Sequence, residues 1–168
     1  MPTGSARPRS KGVAFAMKKL LPLALSLLLL VSACGGGEAA EPYDLQATQA
    51  LVDAGAFSVP LEELDAALLY DFEGYGMDAS KLTGSKALSA SGYTEQASVT
   101  LWKTADDAKA AVEAFGVYLQ DMKDTYKSYA PLEVEKLDNA IVSQRGTSVL
   151  LVVPADADAA KAVMDRLG

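Results

Sequence analysis

The chain has 168 residues, half of them hydrophobic, which is enough for one ordinary domain with a packed core. It carries a formal charge of −7, a single Cys and no His. The missing imidazole removes the commonest general base near neutral pH and the commonest metal ligand, and with them Ser–His–Asp and Cys–His catalysis. One Cys excludes an intrachain disulfide. The charge is divided unevenly. Arg7, Arg9, Lys11, Lys18 and Lys19 precede residue 34, whereas none of the 22 acidic residues does. The remainder is strongly acidic, so no nucleic-acid partner is expected, and the domain should avoid lying flat on an anionic membrane surface.

Lys18 and Lys19 lead into an apolar run from Leu20 to Leu30, followed by Val31, Ser32, Ala33 and Cys34. A positive segment, a short apolar segment and small residues before a break are the order of an export signal. The run is about half the ~20 residues that a spanning helix needs. Basic residues also favour the cytoplasmic side. The tetrad Val31-Ser32-Ala33-Cys34 resembles a bacterial lipobox: an aliphatic residue, two small residues and an obligatory Cys. That resemblance implies a diacylglycerol on the Cys34 thiol, cleavage after Ala33, and Cys34 as the new N-terminus. The chemistry requires the most nucleophilic side chain available, a thiol. Two acyl chains give stable anchoring where one gives reversible binding. Translation starts at Met1 or at Met17, where Met17-Lys18-Lys19-Leu20 is the more usual opening of a signal. The expected division is a signal peptide over 1–33, a lipidated Cys and flexible linker over 34–44, and one globular domain over 45–168. Gly35 to Pro42 holds no bulky apolar residue and reads as the tether.

Within the domain, Ser58 is expected to cap a helix from Pro60 to Tyr70 with Leu61, Leu64 and Leu68 inward. Asp71 to Ser80 is irregular, with Phe72, Tyr75 and Met77 as core plugs and Gly74-Tyr75-Gly76 as a turn. Leu82 to Ala90 is a weak strand. Gly92 turns the chain into a strand from Thr94 to Lys103, with Ala97, Val99 and Leu101 on one face and Gln96, Ser98, Thr100 and Trp102 on the other. Thr104, with Asp106 and Asp107 in the first turn, starts the strongest helix, running to Tyr126. Its stripe is Ala108, Ala111, Val112, Phe115, Tyr118, Leu119 and Met122. Gly116 interrupts it, a cost of up to ~1 kcal/mol that close packing would explain. Leu132 to Leu137 adds a helical turn after Pro131. Asn139 to Gln144 and Ser148 to Val153 form a hairpin, with Val149–Val153 central in the sheet. Asp156 caps a last helix from Ala157 to Leu167 with Ala160, Val163, Met164 and Leu167 inward. The sum is an α+β fold: a small, mostly antiparallel sheet of about four strands and two hairpins, with helices on one face.

From Leu69 onward, the order of features resembles the domain-of-unknown-function family DUF4358, small lipoproteins of Gram-positive bacteria. The residues that carry the resemblance are Leu69-Tyr70, the stretch from Glu95 to Lys103 before an acidic helix, Tyr126 with Tyr129-Ala130-Pro131 and the following Glu133-Val134-Glu135-Lys136, and the hairpin from Ala140 to Val153. The resemblance implies export, lipidation, a compact α+β domain and a place on the outer face of the cytoplasmic membrane. It implies no activity.

No cofactor or metal is expected. Phosphate loops and dinucleotide fingerprints are missing. Asp156-Ala157-Asp158 lacks the glycine and closing Glu of a calcium loop and reads as a helix cap. Glu73 with Glu95 is a candidate carboxylate pair for glycoside chemistry only if the fold brings them together; otherwise Glu95 is a solvated edge charge. Tyr126 and Tyr129 are candidate partner contacts, or else core closure beside a Pro turn. Trp102 is a third candidate contact if exposed, and core if a helix covers its face. The expected function is therefore a non-enzymatic, membrane-anchored binding module for a protein or envelope component. The alternative is a small carboxylate-based envelope hydrolase or a calcium-dependent envelope protein.

Overall fold

The computed structural model describes residues 41–167. The cleavage position Ala33, the lipidation site Cys34 and most of the linker lie outside the described residues. The elements are α1 (Ala47–Asp53), β1 (Glu62–Leu64), α2 (Ala66–Leu69), β2 (Leu82–Ser89), β3 (Gln96–Trp102), α3 (Ala105–Tyr126), α4 (Pro131–Asp138), β4 (Ile141–Arg145), β5 (Ser148–Val153) and α5 (Ala157–Leu167). The strands form one sheet in the order β1-β2-β3-β5-β4. Every neighbouring pair is antiparallel.

The α+β class, with a mostly antiparallel sheet and helices packed against it, is as expected. The sheet has five strands, and helices cover both faces rather than one. One core gathers Tyr70, Phe72, Trp102, Phe115, Leu137 and Leu151 beneath α3. The other gathers Tyr43, Leu51, Val99, Leu150, Val152 and Val163 beneath α1 and α5. The alternation along β3 explains why sequence pattern hid the second layer. Ser98 and Thr100 look like solvent-facing residues, yet both are fully buried. They are small enough to pack under α3. The Thr100 hydroxyl accepts from the Trp102 indole N–H at 3.0 Å and lies 3.4 Å from the Val149 carbonyl, so its polarity is satisfied internally.

Trp102 is therefore corrected from a candidate partner contact to a core residue. It is 3% exposed and stacks on Phe72, ring centroids 5.6 Å apart. The helix expected from Pro60 to Tyr70 is also corrected. Glu62–Leu64 pairs with Ala87–Ser89 as edge strand β1. Asp65, not Ser58, then caps α2 by accepting from the amides of Ala67 and Leu68. Ala66 and Tyr70 turn inward in place of Leu64 and Leu68, which remain exposed. The domain also starts earlier than residue 45. Tyr43 is buried, its amide donates to Ser148 Oγ at 2.8 Å, and its ring lies under the Arg145 guanidinium at 4.5 Å.

The later elements follow the sequence reading closely. Thr104 caps α3 by accepting from the Asp107 amide. Asp156 Oδ1 accepts from the amides of Asp158 and Ala159, which fixes the start of α5. Gly146, at φ +51°, supplies the left-handed residue that the β4–β5 turn needs. Gly116 is exposed on α3, and a Cβ there would meet nothing within 4 Å, so close packing does not explain it.

Candidate functional site

Two strand ends and one helix bring the domain's buried charges together. Glu95 is the last residue before β3 and is fully buried. Its carboxylate accepts from the Ser58 amide at 2.7 Å, from Ser58 Oγ at 2.5 Å and from Lys136 Nζ at 2.8 Å. Lys136 lies on α4, one helical turn after Glu133, and donates to it as well, also at 2.8 Å. Glu133 in turn accepts from the Thr94 amide and hydroxyl at 2.9 and 2.8 Å. The Lys136 ammonium also sits 5.4 Å above the Tyr93 ring. The network thus fastens α4 and the segment after α1 to the turn between β2 and β3.

The electrostatics of this network identify its role. Burial raises the Glu95 carboxyl, but the Lys136 ammonium and the two Ser58 donors outweigh it and hold the group below its ordinary value. Glu133 behaves the same way: burial raises it, while Lys136 and Thr94 draw it down further. Burial lowers Lys136, and its two carboxylates more than restore it. A general acid needs the opposite arrangement, a carboxyl kept protonated by its surroundings. Glu95 and Glu133 are therefore held ionised near neutral pH and act as struts. Glu73 is not among the partners of Glu95; it lies exposed in the loop after α2. The Glu73/Glu95 pair is therefore not assembled, and Glu95 is not a solvated edge charge either.

Beside the struts the surface changes character. Tyr126 is half-buried, and Tyr129 packs on it with ring centroids 5.0 Å apart at 37°. Tyr129 is 64% exposed, Leu132 on α4 80% and Tyr93 48%. Leu132 and Lys136 are four residues apart on one face of α4, and Lys136 reaches over Tyr93. Beneath this surface, Tyr118 donates to Gln96 Oε1 at 3.1 Å, and burial pushes its phenol up to about 12. Of the three aromatic candidates, the fold leaves Tyr129 well exposed and Tyr126 partly so, and removes Trp102.

A depression beside Trp102, lined by Met77, Lys81, Asp107 and Ala110, has a volume of about 70 Å³. That is far below the several hundred Å³ of a usual small-molecule site. Its Lys81–Asp107 pair, 2.8 Å apart, accounts for the second acid at the start of α3. Wider, more open depressions of about 520 and 430 Å³ lie between α1 and α5 and beside α2. No group of three or more potential metal-ligating side chains occurs among the described residues. No helix among them is long and apolar enough to cross a membrane.

Residues 57–154 match the family described as a domain of unknown function, DUF4358. The chain belongs to the DUF4358 family. No curated protein and no solved structure gives a significant match. The matched span of the DUF4358 domain contains the whole network, from Ser58 through Glu95 to Lys136. Sequence reasoning singled out Glu95 and the Glu133–Lys136 stretch as family-like, yet did not join them. The Glu133/Lys136 spacing was the one available signal, an i,i+3 pair on a helix. Nothing local marks Ser58 or Thr94 as their partners.

Proposed function

We propose that this protein is a lipid-anchored, extracytoplasmic interaction module that works by binding rather than by catalysis. For the anchor, support comes from the lipobox-like Val31-Ser32-Ala33-Cys34 and the basic and apolar segments before it. For binding, the observation that carries the reading is the exposure of Tyr129 and Leu132 next to a buried charge network that is already fully paired. Large apolar side chains grouped at a surface are the usual mark of a contact region, whereas acids held ionised by lysine and backbone donors have no proton to give. The domain would stand on the outer face of the cytoplasmic membrane, joined to Cys34 by the Gly35–Pro42 tether.

The test is the intact mass of the membrane-extracted protein beside a Cys34→Ala variant, with both fractionated. The expected result is a chain beginning at Cys34 with added lipid, and release of the variant from the lipid-anchored fraction. An unmodified chain retaining residues 1–33, or residence in the cytoplasm, would remove the anchor and the location.

A further inference from the structure

The strands have two ends, and the chain uses them differently. Tyr43 is fixed to Ser148 and Ser143, beside the β4–β5 turn. Ser148 pairs with Leu101, and Trp102 with Leu82, so the tether enters at the end of the sheet formed by Leu82, Leu101 and Arg145. At the other end lie Gln96, Val153, Ser89 and Ile141. Glu95, Thr94 and Tyr93 directly precede β3 there. Helix α3 begins after Trp102 at the tether end and runs 22 residues, roughly 33 Å. It therefore delivers Tyr126, Tyr129 and Leu132 to the end remote from the tether.

The same axis separates charge. At the tether end, Lys81, Lys103, Arg145 and Arg166 partly offset Asp44, Asp78, Asp106, Asp107 and Asp165; Arg166 and Asp165 belong there because Arg145 donates to the Leu167 carbonyl. At the remote end acids dominate. Glu62 and Glu63 lie there on β1, Asp121 and Asp124 in the last turns of α3, and Glu135 and Asp138 on α4. The bases there are Lys123, Lys127 and Lys136, of which Lys123 pairs with Asp138 and Lys136 with Glu95 and Glu133. An anionic bilayer would repel this end and tolerate the other. With Cys34 anchored, a tether of eight residues holds Tyr43 within ~28 Å of the lipid, and repulsion of the acidic remote end favours an upright placement.

We propose that the remote end, centred on Tyr129 and Leu132 and bordered by Tyr93, docks a basic protein segment carrying apolar anchor side chains. The apolar residues offer the contact area, and the surrounding carboxylates select positive charge. The upright placement rests on the lipid-anchored reading; the surface and its preference for positive charge do not.

The test is fluorescence polarisation of a dye-labelled amphipathic peptide of Lys and Leu, and of its Glu/Leu counterpart. Both are titrated with the membrane-extracted protein and with Tyr129→Ala/Leu132→Ala and Leu68→Ala variants. Binding of the Lys/Leu peptide alone, weakened about tenfold or more by the double variant and unchanged by Leu68→Ala, is expected. No binding, equal binding of both peptides, or loss through Leu68→Ala instead would overturn the proposal. A dimer of the detergent-solubilised protein that the double variant dissociates would assign the surface to a second copy and overturn it too. So would binding of phosphatidylglycerol vesicles through Tyr129 and Leu132. A mass without lipid would sink only the anchor, since the titration runs free of any membrane.

Discussion

Glu95 and Lys136 are 41 residues apart in the chain and 2.8 Å apart in the fold. Their pairing joins the turn before β3 to α4, a helix that buries only Leu137 of its own residues. Polar contacts therefore do for α4 what apolar packing does for α3. Replacing Lys136 by Met should leave the Glu95 charge buried with only Ser58 to answer it. We expect a loss of about 3 kcal/mol, at the low end of the range for a buried pair because 21% of the Lys136 side chain reaches solvent. Adding Glu95→Gln to Lys136→Met should recover part of that loss. Urea denaturation of the two single variants and the double variant measures the coupling directly; strictly additive losses would mean that the pair is not coupled.

The same carboxylates set a pH dependence. Glu95 and Glu133 are both held below their ordinary value of 4.5 in the folded protein. The stability they contribute is fully present above pH 4.5 and is lost as pH falls through their lower folded values. The melting temperature should accordingly decline on acidification below that point. In Glu95→Gln/Glu133→Gln it should start lower and decline less steeply. Thermal unfolding followed by circular dichroism across the acid range decides this, and equal slopes would count against it.

Gly116 offers a substitution in the opposite direction. It sits mid-helix on the exposed side of α3, with open space where a Cβ would go and no positive φ. Gly116→Ala should stabilise the domain by about 0.5–1 kcal/mol through helix propensity and a less floppy unfolded chain. A destabilised variant would point to a contact that forms only in an assembly.

Trp102 is the single tryptophan of the chain and is stacked on Phe72 in the core beneath α3. Its emission should be blue-shifted and poorly quenched by iodide until the domain unfolds. Phe72→Ala should cost about 3–5 kcal/mol and expose the indole to quencher. Strong iodide quenching of the native protein would contradict the packing described for this face.

Some parts of the fold were written locally and others were not. Helices α3 and α5 announce themselves by caps and a 3.6-residue stripe, and β5 by an unbroken run of branched apolar residues. Each signal lies within the element it describes. Edge strand β1 had no such signal: Glu62–Leu64 follows Pro60 and precedes a good cap, so local propensity favours helix, and only the free edge of β2 makes it a strand. Ser58 likewise has the chemistry of a cap but spends its amide and hydroxyl on Glu95. The alternation of β3 was legible but its meaning was not, because small buried hydroxyl residues such as Ser98 and Thr100 resemble exposed ones in sequence. The candidate site was half legible. The tyrosines stood out by residue type, whereas the charge network depends on contacts across 37 to 41 residues.

The position of β5 also fixes when the domain can fold. This strand lies between β3 and β4, yet it is the last of the sheet to appear in the chain. Until Ser148–Val153 is available, β3 has an open edge and Val99 and Trp102 lack the strand that completes both their cores. Because β5 ends at Val153, nearly the whole chain must be available before the sheet can close, and everything before that strand waits for it.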